Sequence, residues 1–257
     1  MHTPTAHSRA ARVEFALEKW AWRLFLIWTL VGFIVMPLEI GEAQMREWFP
    51  SALLQDAAVR FLKMSDAVWL VLAAMNTYFC LVAAEGIATA RRWSFLILLS
   101  SAALEAVGAM TGFPFGPYAY TDNMGVRIAG VLPFTIPLAW LVIVITARFS
   151  VLRVFPNANR WQLAFGIASL ALVTDWNLEF VAWKVRAYWI WYPQDLEPPT
   201  SPPWQNYATW FAAAFLLSLA LGEGRMAGLR RPSWKPVFIL GLINALFLCV
   251  RLARLWV

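Results

Sequence analysis

Five acids stand inside apolar runs of this chain: Glu39, Glu85, Glu105, Asp175 and Glu179. On insertion scales a charged side chain at the centre of a membrane helix costs about 2.5–3.5 kcal/mol, so each needs a partner or a task. A carboxyl in a low-dielectric site has its charged form disfavoured, and one that keeps its proton at neutral pH is a general acid. Competing chemistries lack their residues. Both histidines, His2 and His7, lie in the polar N-terminal tail, which excludes a buried His-based metal site. No lysine sits mid-run and no nucleophile-base pair is visible, so proton donation without a cofactor is the chemistry these residues suit best.

Spacing refines the set. Asp175 and Glu179 are four apart and share a helix face, with Asn177 rotated away from them. Glu105, Gly108, Ala109 and Gly112 share another face, where small residues let a helix or a ligand approach the backbone; plain helix packing would use the same pattern. Glu85 lies six residues before Arg91, and an interface ion pair with Arg91 or Arg92 accounts for it as well as any function does. Directly after the Glu105 run comes "TGFPFGPYAYTDNMG", Thr111 to Gly125, stiff with proline and rich in rings. A second aromatic loop, "WKVRAYWIWYP", follows Glu179. Trp and Tyr gather at membrane interfaces anyway, but rings beside acids also stabilise a cation formed by protonating an alkene.

The elements that must position these groups are membrane helices. The chain of 257 residues is 61% hydrophobic and 14% charged, with mean hydropathy +0.59, against roughly 45–50% and 25% in soluble domains. Stretches of about 20 apolar residues cross a bilayer, and seven are predicted: 20–40, 67–89, 93–112, 130–149, 161–183, 204–222 and 236–256. The spans 93–112 and 161–183 carry acids, and a six-span count would drop one of them. The fold class is thus an all-α polytopic bundle, with residues 1–18 as a basic tail and 19–257 as one transmembrane domain. The proline-rich "EPPTSPP" at 197–203 should stop one element before "WQNYATWF" begins the next. Cys80 and Cys249 both fall in spans and read as small buried apolar residues.

The net charge of +6 reads as topology rather than nucleic-acid binding. Thirteen of the 21 Lys and Arg fall on the N-terminal side of a seven-span layout, which predicts a multi-pass protein of the cell (inner) membrane with a cytoplasmic N-terminus and an external C-terminus. The first run lacks a small-residue cleavage site and is kept as a helix rather than a signal sequence. In this layout Glu39, Glu105, Asp175 and Glu179 share the outer half, whereas Glu85 lies near the cytoplasmic end.

The segment "LEAVGAMTGFPFGPYAYTDNMGVRIAGVLPFTIPLAW" at 104–140, with "TDWNLEFVAW" at 174–183 and "WIWY…PWQNYATW" over 189–210, resembles the membrane carotenoid hydratases. That family comprises the bacterial carotenoid 1',2'-hydratases and the archaeal bisanhydrobacterioruberin hydratases. The resemblance covers roughly 104–210, and Phe180 stands where the family typically has Pro after the second acid. It implies addition of water to the terminal double bond of an acyclic carotenoid, giving a tertiary alcohol. It also implies contact with other enzymes of that pathway and no nucleic-acid partner.

The expected catalytic set is Glu105, Asp175 and Glu179, with Glu39 as a fourth member and Asp175 or Glu105 as first choice of proton donor. Tyr118 and Tyr120 would orient water or the acid, and Asn206 would hydrogen-bond a carboxyl. Phe113, Phe115, Trp140, Trp176, Trp189, Trp191 and Trp210 are expected to wall the substrate. Two other classes compete. A carotenoid cyclase would capture the same cation with a neighbouring double bond, and "MPLE" at 36–39 is similar to the acidic motif of small membrane lycopene cyclases. A proton-coupled transporter would use the acids alone. A retinal protein is disfavoured because Lys184 and Lys235 lie at span ends, and a prenyltransferase because paired Asp-rich motifs are missing.

Overall fold

A computed structural model describes residues 6–38, 40–195, 199–223 and 232–254. Glu39 therefore lies outside the described residues. Eight α-helices run through this part of the chain: α1 (Ala6–Val35), α2 (Glu42–Trp48), α3 (Ala52–Glu85), α4 (Ile87–Thr111), α5 (Thr135–Val154), α6 (Arg160–Glu179), α7 (Trp204–Leu221) and α8 (Lys235–Ala253). A π-helical turn, Phe180–Val185, prolongs α6. Four short strands, β1 (Tyr118–Tyr120), β2 (Arg127–Ile128), β3 (Leu132–Pro133) and β4 (Trp189–Trp191), lie in the two long connections.

The long helices alternate in direction. Lys235 at the start of α8 pairs with Glu18 in α1, and Arg153 at the end of α5 donates to the Pro232 carbonyl at 2.8 Å. At the opposite end Thr135 reaches the Met124 carbonyl (2.9 Å) and Thr209 the Pro114 carbonyl (3.1 Å). One end of the bundle thus carries the basic turns, the other the strands. Helix α5 runs through the middle, buried over most of its length, with Trp140, Val144, Ile145, Phe149 and Leu152 fully enclosed.

Among the described residues, five helices are long and apolar enough to cross a membrane: Ala52–Glu85, Ile87–Thr111, Thr135–Val154, Arg160–Val185 and Lys235–Ala253. Both acid-bearing helices qualify. The two that fall short of the predicted seven are α1, which carries Glu18, Lys19 and Arg23, and α7, which opens on Gln205 and Asn206. Each lies in the bundle beside the others, and the polar residues that lower its hydropathy have positions of their own.

Several boundaries move, among them both ends of the span expected at 130–149, which is Thr135–Val154. Helix α3 begins at Ala52 under a Ser51 cap (Oγ to Leu54 N, 3.4 Å), well before 67, because Asp56, Arg60 and Lys63 ride an exposed face that hydropathy alone reads as loop. The turn between α3 and α4 lies at Gly86, φ +81°, which places Arg91 and Arg92 inside α4 rather than in the connection. At the other end the proline-rich stretch stops where expected, and α7 starts at Trp204. Residues from Ala6 onward are already helical, so the basic tail runs directly into α1.

Candidate active site

The two aromatic loops find each other. β1 and β4 pair antiparallel, with Tyr118 opposite Trp191, Ala119 opposite Ile190 and Tyr120 opposite Trp189. Side chains alternate across a strand, so the four rings fall on one face and are buried, while Ile190 is 46% exposed on the other. Tyr118 and Tyr120 meet edge-to-face at 5.2 Å, and each touches the Trp opposite it. Thr121 and Asn123 fasten the ribbon by donating to the backbone carbonyls of Arg186 and Ala187. It forms a lid whose inner face carries four polar hydrogens.

Those hydrogens go to two carboxyls. Glu105 Oε2 accepts from Tyr120 at 2.7 Å and Tyr118 at 3.0 Å, and its Oε1 accepts from Trp140 Nε1 at 2.9 Å. Glu179 Oε2 accepts from Trp191 Nε1 at 3.0 Å and Trp189 Nε1 at 3.4 Å, and its Oε1 from Asn206 Nδ2 at 2.9 Å. Asn206 spends its second amide hydrogen on Asp175 Oδ2, also at 2.9 Å. The other Asp175 oxygen, Oδ1, is buried with no hydrogen-bond partner among the described residues. Burial, and then the charge of Glu105, push both lid phenols well above the usual tyrosine range, so they remain O–H donors.

Local geometry explains why the sequence can do this. A Cβ on Gly108 would lie 2.6 Å from the Phe115 ring and 2.9 Å from the Tyr118 oxygen, so the room beside Glu105 is filled by the lid itself and not by another helix. Gly112 ends α4 in the left-handed conformation, φ +76°, and turns the chain back over the Glu105 face. On α6, Asp175 and Glu179 share a face as their spacing requires, whereas Asn177 turns to Asn244 of α8 at 2.8 Å. The π turn starts at Phe180, directly after Glu179, in a chain that has no proline there.

Glu105, Glu179, Phe115, Tyr118, Tyr120, Trp140, Trp189, Trp191, Asn206 and Trp210 all line one small cavity of about 40 Å³, together with Met124, Ile136, Ala139 and Leu178. Trp140 and Trp210 stack at 4.0 Å, nearly parallel, to form one wall. Among the described residues, no lysine, arginine or histidine lines the cavity. Asp175, fully buried, does not reach this cavity and stands one layer behind Asn206.

Two expected wall residues point elsewhere. Phe113, at the tip after Gly112, is 75% exposed, and Trp176, one residue round α6 from Asp175, is 49% exposed under the Arg251 guanidinium at 4.1 Å. Neither lines the cavity. Glu85 is buried at the basic end within electrostatic reach of Arg148, far along the bundle from the lid. Met124, Ile136, Ala139 and Leu178 escaped the sequence reading because an apolar residue in an apolar helix carries no mark of which side faces a hollow.

No solved structure matches the chain. A bisanhydrobacterioruberin hydratase from Haloarcula japonica is 30% identical over 137 residues, which cover 52% of this chain and 46% of that protein. The match thus spans about half the length of that curated relative. A family model described as carotenoid biosynthesis protein matches residues 65–256, a stretch that holds Glu105, Asp175, Glu179 and both strands of the lid. The chain therefore belongs to the carotenoid biosynthesis protein family.

Proposed function

We propose that this protein is a cofactor-independent carotenoid hydratase that adds water across the terminal C1=C2 double bond of an acyclic carotenoid end, with Glu105 and Glu179 as the reacting carboxyls. The supporting observation is that two carboxyls from different helices, each clamped by three donors, face one ring-walled cavity. One of them delivers a proton to the less substituted alkene carbon, which leaves a tertiary cation. The stacked Trp140–Trp210 pair and the second carboxylate stabilise that cation. Water adds its oxygen to the cation and passes a proton to the second carboxylate, so the sum is one alkene plus one water. The proton count of the pair is restored by exchange between the carboxyls or with solvent.

Asp175 becomes a positioning residue in this scheme. It holds Asn206 in the orientation that serves Glu179, which revises its place as a first-choice donor. A cavity of about 40 Å³ has room for water beside the acids, since one water needs roughly 10–15 Å³ of such space. That room favours capture by water over capture by a second double bond. The basic end of the bundle faces the cytoplasm and the lid end faces outward, in a multi-pass arrangement of seven spans.

Incubating the purified protein with lycopene and reading product mass tests the reaction. Hydration adds the mass of one water per end, whereas cyclisation leaves the mass unchanged. Glu105→Gln and Glu179→Gln should each lower kcat by about 10²–10⁴-fold, the usual worth of a general acid or base, with Asp175→Asn less severe. Full activity in both folded glutamine variants would sink the assignment.

A further inference from the structure

A second, much larger cavity of about 390 Å³ lies between α1, α3, α5, α6 and α8. Its wall is overwhelmingly apolar, with Val142, Ile143, Ile243, Leu246 and Phe247 on the inner side. Met124, Ala139 and Leu178 line both this cavity and the acid chamber, so the two share a wall made of one small and two flexible side chains. Ile27 and Val31 of α1, which also line it, are 57% and 51% exposed, so α1 covers this flank of the cavity only in part.

We infer that the larger cavity is the binding site for the body of an extended acyclic isoprenoid chain, entered from the bilayer past α1, whose terminal unit alone passes the Met124, Ala139 and Leu178 collar to the carboxyls. This rests on the hydratase reading for the chemistry at the chain end but assigns a separate site for everything behind it. The volumes differ about tenfold, so of these two adjoining spaces the larger alone has room for the body of a long chain. The lining is the apolar surface such a chain buries at about 25 cal/mol per Å². A phospholipid acyl chain would match the same wall, but its end is a methyl group with no π electrons for the acids. The collar thus restricts reaction to chain ends, and the length of chain behind the end contributes affinity.

Gly32 allows a test that leaves the acids untouched. It lines the larger cavity on α1, and a side chain there would meet Leu246 at an ordinary 3.4 Å. Gly32→Cys, purified in nanodiscs and labelled after folding with a benzyl thiosulfonate, places a ring in the cavity that reductant removes. Wild-type protein given the same reagent controls for Cys80 and Cys249. Labelling should lower kcat/KM for lycopene by about tenfold or more while changing that for myrcene, a short terpene with the same isopropylidene end, by less than about twofold, and reductant should restore it. The inference is overturned if lycopene turnover is unaffected, if both substrates fall alike, or if the thiol proves unreactive. Retention of lycopene colour by the purified protein supplies a readout independent of catalysis. If no substrate is hydrated, the reaction assignment fails, yet colour that is retained and then lost on labelling still supports the cavity. Absence of retained colour, or extraction of phospholipid alone after lycopene loading, overturns it.

Discussion

Asn206 is the residue on which the two acids of α6 depend. Its amide hydrogens are divided between Asp175 Oδ2 and Glu179 Oε1, each at 2.9 Å, and no cation lines the cavity to replace it. Removing one partner from a buried charged hydrogen bond leaves the other desolvated, at a cost of about 1–3 kcal/mol or more. Asn206→Leu keeps the branched heavy-atom skeleton and deletes both donors; it should lower kcat at least about tenfold, since 1.4 kcal/mol is one decade, with the helical circular dichroism unchanged. Trp191→Phe makes a gentler version of the same test, keeping a ring on Tyr118 and deleting only the 3.0 Å donor to Glu179. Its kcat should fall while substrate retention stays, and equal loss of both would make Trp191 a wall rather than a donor.

At the scale of elements the lid is the unit that matters, and Gly108 is where α4 receives it. Gly108→Ala would drive a methyl to 2.6 Å from the Phe115 ring and 2.9 Å from the Tyr118 oxygen. Alanine favours helix over glycine by about 1 kcal/mol, so α4 itself should be no weaker. The expected outcome is a displaced lid: activity lost by an order of magnitude and faster hydrogen exchange across Tyr118–Tyr120, despite a substitution that helps the helix locally. Helix α2 makes a contrasting case. It buries no residue and is held to α3 through Arg46 with Asp56 and Glu42 with Lys63. Arg46 and Lys63 hold the Glu42 carboxyl below the ordinary value of 4.5. Its folded value being depressed, the contribution is present at neutral pH and lost as pH falls through that lowered value. Protection of the amides of residues 42–48 against hydrogen exchange, relative to their intrinsic rates, should therefore fall as the pH is taken below that ordinary value, while the lid strands stay protected.

Across the whole molecule, the alternating helices set one basic end against one aromatic end. If the bundle has seven spans with the basic end inside, alkaline phosphatase fused to the C-terminus will be active outside the cell and a fluorescent protein fused there will stay dark; the reverse result would invert or shorten the topology. The Asp66–Arg186 ion pair, with Nε at 2.8 Å, joins α3 to the approach of the lid across 120 residues of chain. Composition and run length by themselves determined that the chain is an apolar helical bundle, that acids stand within it, and that the carboxyls of α6 share a face, because helix period and hydrophobic length are local properties. Only the tertiary structure decided which acids meet. Glu105 reaches Trp140 over 35 residues and Tyr118 faces Trp191 over more than twice that distance in chain. Local pattern could not tell Phe115, buried under the lid, from Phe113, exposed two residues earlier, nor place Asp175 behind Asn206 rather than in the cavity. Those outcomes depend on which faces of distant segments pack together, and that is settled by the joint burial of the lid and α4 to α7, not by any one stretch.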